Sequence, residues 1–287
     1  MRFHLFDQQL GRGPGHPPIC DALVADELRR RGADVVIYRG HDPVEHSPPV
    51  GEAIPAFRGT MADHVGRDPL TWPLEDYVEI GETLFQDLVA LGRERFAHDD
   101  IVYFANPSQN MLEGIRRWVQ TLDEDKRPVL ILKFSMLNWA TPRFQDARNK
   151  NLIPLLYRLG MPGLLATHRR TVICTDTEEM AAAFRSATDL TLPVLPLPLS
   201  VDPVPAQDDG PLCITYLGYA SPWKGFHLLP QIVTQFGSGP GRSVRFAIEA
   251  AGDAAVCAEV ERALAANPSV SFIRGEIAHS DYVRTMQ

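Results

Sequence analysis

Short apolar segments alternate with helical segments along the whole chain, and this alternation most constrains the fold. Five early segments have the length and the residue types of buried strands: Arg2–Phe6, Val35–Tyr38, Ile101–Phe104, Val129–Leu132 and Thr171–Cys174. Strands that alternate with helices in this way form parallel sheets covered on both faces. The sequence therefore predicts an α/β fold built from Rossmann-like, doubly wound sheets.

The segments between these strands predict the helices. After the first strand, a loop rich in glycine and proline leads into a helix whose apolar stripe is Cys20, Leu23, Val24 and Leu28. Further helices are predicted at Trp72–Phe96, at Met111–Leu122, near Leu152 and at Glu178–Arg185. Residues 41–70 have no periodicity and many prolines, which predicts a long loop.

A run of prolines divides the chain into two domains. We predict a first domain over residues 1–195, an extended linker over 196–210 and a second domain over 211–287. The second domain offers three strands, at Cys213–Leu217, Val244–Ile248 and Val270–Ile273, and a last helix that begins near His279. A doubly wound sheet usually has about five or six strands. The sequence therefore predicts that this second domain is truncated.

Charge and spacing exclude several classes of function. The net charge of -8 argues against a general nucleic-acid binder, which needs a basic surface. No apolar stretch approaches the roughly 18–20 residues of a membrane span, and the first residues are too polar for a signal peptide. Cys20, Cys174 and Cys213 lie in apolar segments, which is typical of reduced core residues, so we expect a cytoplasmic protein. A peripheral membrane contact stays open. The spacing of His41, His46 and His64 fits no metal template, and we expect no metal site.

The segment Tyr216–Phe226 is the most informative motif. A strand ends near Gly218, and Ser221 with Pro222 has the pattern of a helix N-terminus. Unpaired backbone N–H groups at such a terminus bind anions, and Lys224 in the same turn adds a full positive charge. The segment therefore suits a diphosphate leaving group. The alternative is a surface lysine at an ordinary strand–helix junction.

Four segments together resemble retaining GT-B glycosyltransferases of family 4. The segment from Gly218 to Gly225 is similar to the family's G-R-L-x-x-x-K-G signature, and Val194–Asp202 resembles its interdomain stretch. Phe272–Ile277, followed by Tyr282, resembles a later segment of the family. The first helix is also similar, through Gly15, His16, Leu23, Leu28, Arg31, Gly32 and Val35.

The resemblance implies roles for individual residues. Lys224 is the expected catalytic residue. The expected donor-binding set is Gly218, Tyr219, Ser221, Lys224, Gly275 and Ile277. Within it, Gly218 and Lys224 approach the diphosphate, while Gly275 and Ile277 border the nucleotide base; core packing is the alternative for Ile277. On the acceptor or phosphate side the resemblance places Gly15 and His16, with Arg12 as a further cation.

The resemblance also implies an activity, from which this chain departs at three points. Tyr219 stands where the family has an arginine, and Lys133, Phe134 and Ser135 stand where many members have a histidine. The family's glutamate pair has no match in the chain. The implied activity is sugar transfer from a nucleotide-diphosphate sugar to an acceptor hydroxyl with retention, without a cofactor or an obligatory metal. The acceptor class, a glycan, a lipid or a small molecule, stays open, and the implied setting is polysaccharide biosynthesis. The alternative is a catalytically inactive protein that binds a nucleotide sugar or a partner.

Overall fold

The structure is a computed structural model. It describes residues 1–8, 16–41, 53–58, 74–136, 147–196, 212–218, 220–237, 244–252 and 254–274. The chain forms two compact units, residues 1–199 and 200–287. Most of the predicted linker and the predicted helix near His279 lie outside the described residues.

The first unit contains a sheet of six parallel strands. In chain order they are β1 (Arg2–Asp7), β2 (Asp34–Gly40), β3 (Ala53–Phe57), β4 (Ile101–Ala105), β5 (Val129–Phe134) and β6 (Thr171–Thr175). Their order across the sheet is β3-β2-β1-β4-β5-β6. This is the order of a Rossmann-like sheet, whose winding reverses between β1 and β4. The five strands predicted for this part of the chain are confirmed.

Strand β3 was not expected, because it lies inside the segment predicted to be a loop. It carries Pro55 and pairs only with β2, at the edge of the sheet. A proline removes one backbone donor, which an edge strand tolerates and a central strand does not. A short strand that contains proline has no alternation of apolar and polar residues long enough to be recognised in a sequence.

In the described part of the first unit, five helices accompany this sheet. They are α1 (His16–Arg30), α2 (Leu74–Ala90), α3 (Met111–Thr121), α4 (Ala147–Thr167) and α5 (Glu178–Thr188). The single helix predicted for Trp72–Phe96 is wrong at its C-terminal end, because α2 stops at Ala90. Gly92 has a φ of 86° and separates α2 from a 3-10 turn at Arg93–Arg95. A positive φ of this kind interrupts a right-handed helix.

Each face of the sheet has its own apolar core. Phe6, Val102, Leu132 and Ile173 point toward the face on which Trp118 of α3, Tyr157 of α4 and Phe184 of α5 are buried. Phe3, Leu5, Ile37 and Tyr103 point to the opposite face, where Ala25 of α1 is buried. The stripe predicted for α1 is partly wrong, since Leu23 is exposed while Asp21 and Ala25 are buried.

The described residues of the second unit form three parallel strands in the order β7-β8-β9. They are β7 (Leu212–Tyr216), β8 (Val244–Ala250) and β9 (Val270–Arg274), which confirms the three predicted strands. Helices α6 (Leu229–Phe236) and α7 (Ala254–Leu264) share a core with Phe246 and Ile248 of β8. Across the described parts of both units, no helix has the length and the apolar character needed to cross a membrane.

Candidate functional site

Four charged side chains lie at the carboxyl end of the first sheet. Asp7 is the last residue of β1, Lys133 lies near the end of β5, and Asp176 follows β6. Side chains alternate along a strand, so Asp7 and Lys133 belong to the same face as Leu5 and Ile131, the face that α1 covers. Asp21 of α1 is buried beside them. The carboxyl edge near a winding reversal is where open α/β sheets bind ligands.

The lysine and one acid of this group form an ion pair. Lys133 Nζ lies 2.8 Å from Asp176 Oδ1, and both side chains are less than a tenth exposed. Lys133 is thus engaged in a buried pair, and the next residue, Phe134, is fully buried in the core. The backbone N–H of Ser135 donates to Asn106 Oδ1 at 3.1 Å. This segment therefore holds the ends of β4, β5 and β6 together.

The other two acids form a buried pair. Asp7 and Asp21 are both buried. Burial raises the pKa of Asp21 well above its usual range, and the negative charge of Asp7 and a hydrogen bond to Asp7 raise this pKa further. The positive charge of Lys133 lowers the pKa of Asp21, but by less than these effects raise it. Two carboxyl groups joined by a hydrogen bond resist joint ionisation, because the second negative charge would form beside the first.

This pair predicts how stability depends on pH. An acid whose folded-state pKa is raised stabilises the fold below its unfolded pKa and loses that contribution as pH rises through the folded pKa. Asp21→Asn keeps the shape and removes the titration. We therefore expect the free energy of unfolding of Asp21→Asn, relative to the wild type, to be higher at about pH 8 than at about pH 5. Urea denaturation at both pH values measures it.

The control for this prediction is Asp26→Asn on the same helix. Asp26 is exposed, and its only ion pair in the described part of the chain is with Arg29 at 3.4 Å. Its substitution is expected to change the free energy of unfolding by less than about 0.5 kcal/mol at either pH. A pH response of Asp26→Asn equal to that of Asp21→Asn would contradict the raised pKa of Asp21.

The predicted residues on the acceptor side are only partly described. His16 is the first residue of α1, and its side chain lies outside the described residues, as do Gly15 and Arg12 entirely. Their roles stay predictions. No three histidine, cysteine, aspartate or glutamate side chains in the described ranges are grouped so that they could hold a metal ion.

In the second unit, Gly218 and Lys224 lie close together. Gly218 follows β7 with a φ of 134°, a conformation that favours glycine. A Cβ atom placed on Gly218 would lie 3.9 Å from Lys224 Nζ. The Gly218 N–H donates to Glu249 Oε2 at 2.7 Å. Gly218 is thus adjacent to both a carboxylate and an ammonium group.

Backbone contacts fix the loop that joins Gly218 to Lys224. The N–H of Ala220 donates to Ala251 O at 2.8 Å. A Cβ atom on Gly252, whose φ is 148°, would lie 2.6 Å from the backbone N of Ala220. This close approach requires glycine at position 252. The ends of β7 and β8 are therefore held in one arrangement.

The helix predicted to begin at Ser221 and Pro222 is wrong. Two 3-10 turns, Pro222–Lys224 and Phe226–Leu228, come first, and α6 begins only at Leu229. Gly225 lies between the turns with a φ of 76°, which prevents a continuous helix. The N–H groups of Lys224 and Phe226 donate to Ser221 O. They are not the free donors of a helix N-terminus, so positive charge at this site comes from Lys224.

The other predicted donor-side residues differ in how far the structure describes them. Ser221 precedes the first 3-10 turn and is buried, and its Oγ has neither a capping hydrogen bond nor another partner within the described part of the protein. Tyr219, Gly275 and Ile277 lie outside the described residues. Sequence reasoning missed Glu249 and Asp21, although a charged residue within an apolar strand or at helical spacing from apolar residues is a usable signal.

No model of a known protein family matches the chain, and no curated protein does. Solved structures do match. The lipopolysaccharide outer core galactosyltransferase WaaB, in its apo form, aligns over 99% of this chain and 71% of its own, at 9% identity and a TM-score of 0.58. The trehalose-6-phosphate phosphatase N-terminal domain of Candida albicans aligns over 98% and 73%, at 10% identity and a TM-score of 0.56. The predicted fold class, α/β with Rossmann-like units of the GT-B type, is confirmed.

Proposed function

We propose that the protein is a glycosyltransferase that moves a sugar from a nucleotide-diphosphate sugar to an acceptor hydroxyl. The observation that carries this proposal is the position of Lys224 beside Gly218, at the carboxyl end of β7 in a chain of GT-B fold. Ligands bind at the carboxyl ends of the strands in such sheets. A fold alone hosts many activities, so the proposal depends on this site.

The proposed chemistry assigns one task to Lys224. The bond between the anomeric carbon and the diphosphate oxygen breaks, and its electron pair stays on the diphosphate. The anomeric carbon bonds to the acceptor oxygen, and the hydroxyl proton passes to the leaving diphosphate on the same face, which retains the configuration. Negative charge develops on the diphosphate, and a fixed cation aimed at that charge lowers the barrier. Lys224 supplies this cation, and the proposal requires no metal ion or cofactor.

The proposed partners are a nucleotide sugar and an acceptor that carries a hydroxyl group, whether glycan, lipid or small molecule. WaaB acts, by its name, on the lipopolysaccharide outer core, and polysaccharide biosynthesis in the cytoplasm is the setting that we propose here. The proposed donor site comprises Gly218, Tyr219, Ser221, Lys224, Gly275 and Ile277, with Gly15, His16 and Arg12 on the acceptor or phosphate side.

A second candidate is a protein that binds a nucleotide sugar without transferring it. The burial of Lys133 in an ion pair, where many family members have a histidine, favours this candidate. So does Tyr219 in place of an arginine. The two candidates differ in turnover, because both bind the nucleotide sugar but only a transferase releases nucleoside diphosphate when sugar acceptors are supplied.

Ligand binding tests the proposal directly. We expect UDP, GDP or ADP at millimolar concentration to raise the melting temperature, because a ligand that binds only the folded state stabilises it. At a concentration 100 times Kd the gain is about 2.7 kcal/mol, which raises Tm by several degrees. Differential scanning fluorimetry measures the shift, with the nucleosides and an equal ionic strength as controls. An unchanged melting temperature with all three diphosphates and with their glucose esters would exclude the proposed function.

A further inference from the structure

A buried carboxylate lies at the site where the proposed function needs to hold an anion. Glu249 belongs to β8 and is only 8% exposed. Arg245, on the same strand and the same face, is exposed. The Glu249 carboxylate accepts the Gly218 N–H at 2.7 Å. It is thus held against the backbone of the loop that ends at Lys224.

The site therefore combines opposite charges at a short distance. Lys224 Nζ lies 3.9 Å from the position of a Cβ atom on Gly218, and Glu249 lies on the N–H of the same residue. A phosphate group that contacts Lys224 beside Gly218 is consequently exposed to the charge of Glu249, which lies on the same glycine. The Glu249 charge repels each additional negative charge on that phosphate. Because Glu249 is buried, salt screens this repulsion less than it would at the surface.

We infer that Glu249 is a specificity-determining residue that makes this site discriminate against a free terminal phosphate in favour of an esterified diphosphate. The inference rests on the proposed function. In a nucleotide sugar, the terminal phosphate is a diester with one negative charge. In a free nucleoside diphosphate the same phosphate is a monoester with a second pKa near 6, and it carries almost two charges at pH 7. Glu249 repels that extra charge and therefore favours release of the product over release of the donor.

The substitution Glu249→Gln separates the charge of this side chain from its hydrogen bond. The glutamine side-chain oxygen still accepts the Gly218 N–H, so the loop keeps its position while the negative charge is lost. Glu249→Asp keeps the charge but withdraws it by about 1.5 Å, the length of one carbon–carbon bond. The two variants therefore form a graded series for the charge effect.

The experiment uses calorimetry at pH 7.5 to compare, for each variant, the affinity for a free nucleoside diphosphate with the affinity for its sugar ester. The probes are UDP, GDP and ADP, each paired with its glucose ester. We expect Glu249→Gln to tighten binding of the free diphosphate about tenfold more than binding of the ester, since only the free diphosphate carries the extra charge. Glu249→Asp is expected to shift the ratio in the same direction by a few-fold. The control is Glu259→Gln on α7, which removes an exposed negative charge of the same unit and should leave the ratio unchanged.

The outcomes separate this inference from the function on which it rests. Equal changes for the free diphosphate and its ester, or weaker binding of both, would overturn the role of the charge and leave the proposed function standing. If Glu249→Gln does not fold, the ratio measured for Glu249→Asp decides alone. If the wild type binds neither the diphosphates nor the esters, the proposed function is wrong and the inference falls with it.

Discussion

Lys224→Ala is expected to weaken binding of a nucleoside diphosphate about tenfold or more. The ammonium group of Lys224 lies beside Gly218, where the proposed site holds the diphosphate. A hydrogen bond to a charged group contributes about 1.5–3 kcal/mol, and each 1.4 kcal/mol corresponds to about a factor of ten in affinity. The 3-10 turns occupy the nearby backbone donors of Lys224 and Phe226, so little remains to replace the lost charge.

The measurement compares the diphosphate with the nucleoside that lacks phosphates. Calorimetry should show that Lys224→Ala binds the free nucleoside about as tightly as the wild type does, because Lys224 contacts no part of the base or ribose in the proposed site. Arg262→Ala removes an exposed positive charge from α7 and serves as the matched control. An equal loss of affinity for diphosphate and nucleoside would show damage to the fold and would refute the assignment of Lys224.

Strands β4 and β5 were predictable because each is a nearly continuous apolar run that is largely buried on both faces. Val129–Leu132 is such a run, and it lies inside β5. β3 was not predictable, because Pro55 and the short length of the strand leave no apolar period and only its position at the sheet edge makes it tolerable. The end of α2 was misjudged for a related reason, since the positive φ of Gly92 cannot be distinguished in a sequence from a glycine inside a helix.

The site was predictable only in part because its contacts join residues that are distant in sequence. The proximity of Gly218 to Lys224 follows from a local motif, and the sequence indicates it. The hydrogen bond from Gly218 to Glu249 and the pairing of Asp7 with Asp21 depend on which strands and helices become neighbours. A buried carboxylate also contradicts the expectation that charges lie at the surface, so only its partner explains it.

Gly114→Ala is expected to destabilise the first unit by about 3 kcal/mol, near the upper end of the cost of overpacking. Gly114 of α3 packs against Gly81 of α2 so closely that an added Cβ would overlap the Gly81 carbonyl oxygen. A Cβ on Gly81 would in turn lie 2.5 Å from the Asn110 carbonyl oxygen. Both obstacles are backbone atoms, so no side chain can turn aside and the two helices must separate. This loss exceeds the gain of about 1 kcal/mol that alanine brings to a helix interior.

Gly163→Ala is the matched control, because Gly163 also lies within a helix, α4. Among the described residues, an added Cβ there has only Arg116 Cδ as a neighbour within 4 Å, at 3.7 Å. That contact is ordinary van der Waals packing with a flexible side chain, so this variant should be as stable as the wild type or gain up to about 1 kcal/mol. Thermal unfolding should show that Gly114→Ala lowers the Tm by about 10 °C and that Gly163→Ala leaves it unchanged or raises it. If both variants melt with the wild type, the helices α2 and α3 do not cross at their glycines, and the packing of the first unit differs from the one described.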